Sequence, residues 1–249
     1  MIQSVLILAG RRPGTDPLLS EYGDLPSKAL IEVGGQTMLS RVVGTLKKAL
    51  PEASLHVSGL AQEHLSSGIG STPNSKGPAA AVLAARDQLT FPVLVTTADH
   101  ALLSEETVAE FVSKATHQPS DVSVGMADRT IVDARFPEVQ RTYLKFSDRS
   151  VTGCNLFYLR NERALELVRY WQRLEAHRKK PLTLARLIGI GVLVTYLLGR
   201  LSTDGLFAHV SKKASVEVRP VFLSSGEAAV DVDKPSDLAL VNAVLEGAA

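Results

Sequence analysis

Three carboxylates stand at the predicted ends of β-strands. Asp99 follows the apolar, β-prone run of residues 93–97, and Asp231 and Asp233 alternate along the predicted strand 228–233. In open α/β sheets, ligands bind outside the carboxyl ends of the strands, so Asp99 is expected to face a crevice. Asp233 precedes a Lys-Pro pair, which predicts a helix N-cap, whereas Asp231 has no such structural explanation.

Asp99 and Asp231 together predict a magnesium site. Mg²⁺ takes one or two carboxylates and completes its shell with water and phosphate oxygens. Neither residue belongs to a cluster of histidines and cysteines, so the pattern disfavours zinc.

A loop rich in arginine, glycine and proline follows the first apolar run, residues 5–9. Gly10 permits close backbone approach, and Arg11, Arg12 and Lys28 carry positive charge that can hold a polyphosphate. A solvated basic loop is the alternative, because exposure is the usual state of lysine and arginine. The sequence contains neither the G-x-x-x-x-G-K-[ST] pattern nor the dinucleotide pattern G-x-G-x-x-G.

The elements that must position these residues alternate between strand and helix through the first half of the chain. Apolar runs predict strands at residues 5–9, 29–33, 54–59, 91–99 and 121–127. Helical spacing predicts helices at residues 39–50, 77–89 and 104–115, the last capped by Ser104. This alternation predicts an α/β sandwich with a mainly parallel sheet.

The second half is less regular. Residues 127–150 form a charged stretch that is predicted to be rich in loops, and Asn161 is predicted to cap a helix. Further predicted strands cover residues 154–159, 215–223 and 228–233, and a closing helix covers residues 234–247.

Residues 187–199 form an apolar stretch between Arg186 and Arg200. As a helix these thirteen residues would span about 20 Å, short of the roughly 30 Å hydrocarbon core of a bilayer. The stretch therefore predicts a helix buried in the core or in a homodimer. Contact with a lipid surface or with a lipid-linked substrate is the alternative, because the basic run 177–180 and two arginines flank the stretch.

The composition limits the partners and the cellular compartment that can be expected. Lysine and arginine number 27 against 26 acidic residues in 249, a formal charge of +1, so no nucleic-acid partner is expected. The single cysteine, Cys154, excludes an internal disulfide and fits a reducing compartment. The first apolar run is too short for a signal peptide, so a cytoplasmic location is expected.

Four segments in a fixed order resemble the nucleotidyltransferase family that includes the sugar-phosphate and molybdopterin nucleotidyltransferases. The segment "LILAGRRPGTDPL…SKALIEVGGQTML" is similar to the opening block of that family, and "GPAAAV" is similar to its nucleotide-side segment. "TTADHALL" resembles its metal segment and aligns Asp99 with the metal-binding aspartate, and "DVDKPSDLALV" resembles its closing block.

The resemblance implies a Rossmann-like sandwich of the glycosyltransferase-A type and one domain over residues 1–249. Its nucleotide-binding half would cover about residues 1–126, and its acceptor-side half about residues 127–249. The implied reaction is Mg²⁺-dependent: a phosphorylated small-molecule acceptor attacks the α-phosphorus of an NTP and pyrophosphate leaves. Because the acceptor phosphate is already anionic, catalysis would rest on positioning and on charge stabilisation.

The resemblance also assigns residues to roles. Lys28, Arg11 and Arg12 would be catalytic, and Asp99 and Asp231 would hold the metal. The nucleotide would lie against Leu8, Ala9, Gly10, Gly77, Pro78 and Ala79. Among the basic residues of the second half, the acceptor would meet Arg129, Arg135, Arg141 and Lys145; a solvated face is the alternative reading of these four.

Arg11 stands where the family has the second glycine of its opening loop, and the family's pyrophosphate-contacting arginine has no direct counterpart. A non-catalytic nucleotide-binding module therefore stays open. A glycosyltransferase of the same fold is the other alternative; the D-x-D metal motif of those enzymes would require a second carboxylate where Thr97 stands.

Overall fold

The structure, a computed structural model, describes residues 1–10, 18–23, 25–139 and 141–247. The strands within these residues are β1 (Ser4–Leu8), β2 (Glu32–Val33), β3 (Gln36–Thr37), β4 (Ser54–Ser58), β5 (Ile69–Thr72), β6 (Val93–Thr97), β7 (Val122–Asp128), β8 (Leu144–Lys145), β9 (Ser150–Leu159) and β10 (Val218–Leu223). The helices are α1 (Met38–Ala49), α2 (Pro78–Ala85), α3 (Glu105–His117), α4 (Arg129–Arg135), α5 (Leu165–Ala176), α6 (Pro181–Ile188), α7 (Ile190–Leu197), α8 (Thr203–Ala214) and α9 (Pro235–Leu245).

One mixed sheet organises the molecule. Its strands follow the order β10-β7-β9-β6-β1-β4-β5, and β8 pairs with β9. β1 lies between β4 and β6 and is parallel to both. β9 is antiparallel to its neighbours β6 and β7. The sheet is therefore mainly parallel, as the sequence predicts, and strands from both halves of the chain contribute to it.

Helices cover both faces of this sheet. α1 and α3 pack on one face, and α2, α5 and α8 pack on the other. Along β1, Val5 and Ile7 face the first helical layer and Leu6 faces the second, because successive side chains of a strand point to opposite faces. All three are fully buried. The three-layer sandwich confirms the predicted fold class.

Side chains that the sequence marks as caps begin two of the helical segments. The Ser104 hydroxyl accepts a hydrogen bond from the Thr107 N–H at 3.1 Å at the start of α3. The Asn161 side chain accepts one from the Arg163 N–H at 3.0 Å, ahead of α5. Each bond satisfies a backbone donor that has no partner inside the helix, so both predicted caps are confirmed.

Three short predicted regions have a different local structure, and β5 and α8 are not among the predicted elements. Residues 228–233 form no strand: a 3₁₀ turn, Glu227–Ala229, leads into an extended segment whose Val232 N–H bonds to the Asp99 carbonyl at 3.1 Å. This contact ties the segment to the turn after β6 without building a strand ladder. Residues 28–30 form a 3₁₀ turn and β2 pairs only with β3, so the predicted strand 29–33 is shorter. Residues 129–135 are helical, not loop.

The apolar stretch 187–199 is not buried in the core. Gly189, at φ +110°, separates α6 from α7, and neither helix contains a buried residue. The expected burial in the core is wrong, because the break leaves two short helices that expose one side. Burial in a homodimer stays a prediction. None of the described helices is long and apolar enough to cross a membrane.

Candidate active site

The carboxyl ends of three parallel strands line a cavity of about 480 Å³. Leu8 ends β1 and is paired in register with Ser58 at the end of β4 and with Thr97 at the end of β6. All three residues line the cavity. The cavity therefore lies at the edge of the sheet where open α/β folds bind their ligands.

Small residues bring the main chain close to this cavity. Ala9 and Gly10, which follow β1, line it together with Gly77 and Pro78 at the start of α2. Gly77 adopts φ +138°, a conformation that side-chain-bearing residues rarely take. The N-terminus of α2 carries partial positive charge, which favours an anionic ligand. Ala79 does not line the cavity; it is fully buried in the core.

Lys28 forms the centre of the charged wall of the cavity. Its Nζ lies 2.7 Å from Oδ2 of Asp99 and also forms an ion pair with Oδ1 of Asp233. The same nitrogen donates a hydrogen bond to the Val232 carbonyl at 2.8 Å. Ser27 fixes the start of the turn that carries Lys28, because its hydroxyl donates a hydrogen bond to the Ala9 carbonyl at 2.6 Å. Lys28 therefore joins three segments that are far apart in sequence.

The charge of Lys28 is stabilised by these contacts. Burial alone would lower the pKa of the Lys28 ammonium, but the carboxylates of Asp99 and Asp233 outweigh it and raise the pKa above its ordinary value. Lys28 is therefore a fixed positive charge at neutral pH, held where an anionic ligand would enter.

Asp231 forms an ion pair with a different side chain, that of Arg141. Arg141 Nη1 forms an ion pair with Oδ1 of Asp231, and Asn155 Nδ2 donates to Oδ2 at 3.3 Å. The guanidinium is largely buried, with 12% of its side chain exposed. Asp231 itself lines the cavity, so this second charged group lies beside the Lys28 cluster.

Asp233 does not take the position of a helix cap. The N-cap position of α9 belongs to Lys234, and Asp237 accepts hydrogen bonds from the N–H groups of Asp233 and Lys234, both at 3.1 Å. The sequence prediction that Asp233 caps this helix is wrong. Its carboxylate faces Lys28 instead, because the segment before α9 is extended and runs past the cavity.

Asn155 reaches the site through an irregularity in β9. The pairing of β9 with β7 shifts register between Val124 and Met126, and Asn155 adopts φ +49°. A bulge of this kind redirects a side chain, and asparagine tolerates the left-handed region better than most residues. The Asn155 side chain thereby enters the cavity and meets Asp231.

Residues 5–182 match the MobA-like NTP transferase domain. The chain belongs to this family. The match covers well over half of the 249 residues and includes the cavity-lining residues from Leu8 to Trp171. No curated protein matches the chain. The predicted family is confirmed, and the chain is a nucleotidyltransferase.

Solved structures agree with this assignment. A hypothetical transferase from Thermus thermophilus is similar over 96% of this chain and 100% of its own, at 31% identity and a TM-score of 0.84. The 2-C-methyl-D-erythritol 4-phosphate cytidylyltransferase from Thermus thermophilus covers 99% and 100%, at 18% identity and a TM-score of 0.56. A CMP:2-keto-3-deoxy-manno-octonic acid synthetase, solved with CTP, covers 99% of both chains at 13% identity and a TM-score of 0.59. The last two show the glycosyltransferase-A-type fold.

Asp99 in the cavity of this MobA-like domain has a carboxylate oxygen that fits a metal. Oδ1 of Asp99 is buried and has no hydrogen-bond partner among the described residues, whereas its Oδ2 holds Lys28. No group of three His, Cys, Asp or Glu side chains in the described part of the chain is placed to hold a metal. Mg²⁺ does not need such a cage, because substrate phosphates and water complete its shell. Asp99 therefore fits a magnesium ligand.

Asp231 fits a metal less well, because both of its carboxylate oxygens already accept hydrogen bonds from Arg141 and Asn155.

The other residues predicted for the site do not come together at the cavity in the described part of the chain. Arg129 forms an ion pair with Asp133, 2.8 Å away, and Arg135 forms one with Glu227, 2.5 Å away. Lys145 lies on the exposed β8. Within the described residues the cavity lining includes none of the three. Arg11 and Arg12 lie outside the described residues, so the predicted phosphate loop stays a prediction.

Several cavity-lining residues belong to none of the motifs found in the sequence. Ser58 and Asn74 line one side, and Phe157 and Trp171 line the other, with ring centroids 5.6 Å apart. Trp171 lies on α5. Asn155 did carry a usable signal, because asparagine is depleted in strands and here interrupts the run 154–159.

Proposed function

We propose that the chain transfers a nucleoside monophosphate from an NTP to a phosphorylated small-molecule acceptor in a Mg²⁺-dependent reaction. An oxygen of the acceptor phosphate forms a bond to the α-phosphorus. The bond from that phosphorus to the bridging oxygen breaks, and its electron pair leaves with pyrophosphate. The contact of Lys28 with Asp99 and Asp233 at the sheet edge carries this proposal, together with the family membership.

Lys28 would stabilise the negative charge that develops on the α-phosphate. Its two carboxylate partners fix its position before substrate arrives, so little reorganisation is needed during the reaction. Because the acceptor phosphate is anionic, the step needs no general base. This agrees with Lys28, whose raised pKa makes it a poor base at neutral pH.

Asp99 is the better of the two proposed magnesium ligands, since one of its oxygens is buried and unpaired among the described residues. Asp231 is the second, although it would have to give up its contact with Arg141. A bound Mg²⁺ would supply charge that polarises the phosphate oxygens. The chain's own contribution is to hold Lys28 and the carboxylates at one edge of the sheet.

The acceptor would enter from the side of β9. Arg141 is the strongest of the four predicted acceptor contacts, because it bonds to a cavity residue from a largely buried position. Asn155 and the Phe157–Trp171 ring pair line the same side, and the rings offer an apolar wall to the carbon skeleton of an acceptor. Arg11 and Arg12 would receive the leaving pyrophosphate, and the cytoplasm is the proposed location.

A pyrophosphate-release assay tests the proposal. The full chain with Mg²⁺ would be given each common NTP and a panel of phosphorylated sugars and polyols. CTP would be tried first, because one similar structure is named a cytidylyltransferase and another was solved with CTP. We expect pyrophosphate only when an NTP and an acceptor are both present, and no turnover after addition of EDTA.

The test variant is Lys28→Met, which should lose at least about a hundredfold in rate. Its matched control is Lys47→Met, at an exposed lysine on α1, which should leave the rate unchanged. Release of a nucleoside diphosphate from a nucleotide-sugar, without any pyrophosphate, would replace the proposal by the glycosyltransferase alternative.

A further inference from the structure

One face of the molecule exposes large apolar side chains. Outward-facing residues of α6, α7 and the turn that follows are Leu182, 78% exposed; Ile190, 62%; Val194, 48%; Leu197, 81%; and Leu198, 64%. We call these five side chains the α6–α7 face. Ile190, Val194 and Leu197 follow the spacing i, i+4, i+7, which places them in one stripe along α7. An apolar stripe of this kind normally packs against something.

The rest of the fold holds this face in place. The Tyr170 hydroxyl on α5 donates to the Leu187 carbonyl at 3.2 Å, and the His209 ring on α8 lies 2.5 Å from the Ile188 carbonyl. Tyr196 on α7 stacks edge-on against Phe146, with ring centroids 5.8 Å apart. The inner sides of α6 and α7 are therefore anchored to the rest of the fold, and their outward stripe is held in a defined position.

A basic rim flanks the α6–α7 face along the chain. Between Glu175 and Asp204 the sequence contains no acidic residue and five lysines and arginines. These five are exposed and form no salt bridge with a described residue: Arg178, Lys179, Lys180, Arg186 and Arg200. Lys213 on α8 extends the rim, because its side chain lies beside Gly189.

We propose that the α6–α7 face docks on an anionic lipid surface. Apolar side chains on one stripe, flanked by uncompensated lysines and arginines, match the hydrocarbon boundary and the negative headgroups of such a membrane. A second copy of the chain fits less well. A two-fold interface would press the same patch against itself and bring like charges of the two basic rims close together. The inference does not depend on the proposed reaction.

Vesicle sedimentation with the full chain tests the proposal. We expect the protein to sediment with vesicles of phosphatidylcholine and phosphatidylglycerol in equal parts, and not with phosphatidylcholine alone. Raising the salt to about 1 M should release most of it, because the Debye length then falls to roughly 3 Å. Equal binding to both kinds of vesicle, or no binding to the anionic ones, would overturn the proposal.

Paired variants locate the contact. Ile190→Gln combined with Leu197→Gln should lower vesicle partitioning by about tenfold or more, because both side chains would leave the hydrocarbon boundary. Lys179→Gln combined with Lys180→Gln should lower it on anionic vesicles, whereas Lys47→Gln combined with Lys48→Gln on α1 should not. Tyr22→Gln removes an apolar side chain that is 41% exposed elsewhere and serves as the apolar control.

The same variants test whether a second copy of the chain covers the α6–α7 face in place of a lipid surface. Light scattering after size exclusion should give a monomer for the wild type and for the Ile190→Gln, Leu197→Gln double variant. A wild-type dimer that becomes monomeric in this variant, with no binding to anionic vesicles, would assign the α6–α7 face to a second copy and reject the lipid surface. Circular dichroism would confirm that the variants remain folded.

Discussion

The cavity and the α6–α7 face depart from ordinary burial in opposite ways. In the cavity, the charged groups Lys28 and Asp99 are largely enclosed, with 20% and 15% of their side chains exposed. On the α6–α7 face, Leu197 is 81% exposed. An enclosed charge is costly unless it is paired, and Lys28 is paired with two carboxylates.

The two regions lack different kinds of partner. The cavity satisfies its cation within the chain and leaves one carboxylate oxygen of Asp99 without a partner in the described residues. Its missing partner is therefore polar. The α6–α7 face leaves apolar side chains uncovered beside exposed lysines and arginines, so the proposed partner is extended, apolar and anionic. Four experiments test this contrast.

Lys28→Met should have the largest effect. Its removal takes away the cation that would face the α-phosphate and leaves Asp99 and Asp233 without their shared partner. We expect kcat to fall by about a hundred- to a thousandfold, the loss seen when one preorganised donor is removed. Steady-state pyrophosphate release measures this. Lys28→Arg should recover part of the rate, and a fully active Lys28→Met would remove the catalytic role of the cavity.

Asp99→Asn should lower turnover by at least about a hundredfold, because charge stabilisation at the reacting phosphate is worth several kcal/mol. The side chains are nearly the same size, so the thermal unfolding midpoint should change little. A titration of rate against Mg²⁺ concentration separates metal binding from folding. Asp87→Asn, at an 83% exposed side chain, is the control. A normal Mg²⁺ dependence in Asp99→Asn would contradict the assignment of this carboxylate.

Asp233→Asn compared with Asp231→Asn sharpens the contrast inside the cavity. Asp233 positions Lys28, so its loss should lower kcat by about ten- to a hundredfold, in line with about 1.5–3 kcal/mol for a hydrogen bond to a charged group. Asp231 positions Arg141, so its loss should also raise the KM of the acceptor. The same kinetic change in both variants would show that the two ion pairs act as one unit.

Leu197→Gln should have the smallest effect on the free energy of unfolding, within about 0.5 kcal/mol, because the residue is already exposed. Leu94→Ala, at a fully buried leucine of the sheet, should cost about 2–5 kcal/mol. Urea unfolding of the two variants measures the difference. A large destabilisation by Leu197→Gln would mean that the chain itself covers the α6–α7 face.

Most of the first half of the fold could be predicted from the sequence. The strands at residues 5–9 and 91–99 are apolar runs of the right length, and Ser104 marks the start of the following helix. Asp99 was placed at a strand end by this pattern and does line the cavity. Local patterns suffice here because each element is specified by neighbouring residues.

The roles of the second-half residues could not be predicted in the same way. Asp231 and Asp233 look alike in the sequence, yet one meets Arg141 and the other meets Lys28, which is 205 residues away. A strand was predicted for the segment that carries them, and the structure shows an extended segment without a ladder. No local pattern records a contact over such a distance.

The sequence by itself determined most of the strand and helix order of the first half, the α/β class and the family, because these follow from periodicity and from short motifs. Only the tertiary structure decided which carboxylate pairs with which cation, that Asn155 enters the cavity, and that the apolar stretch 187–199 lies outside. Ion pairs and burial depend on which segments meet in space. That depends on the packing of the whole chain, which no single stretch of residues contains.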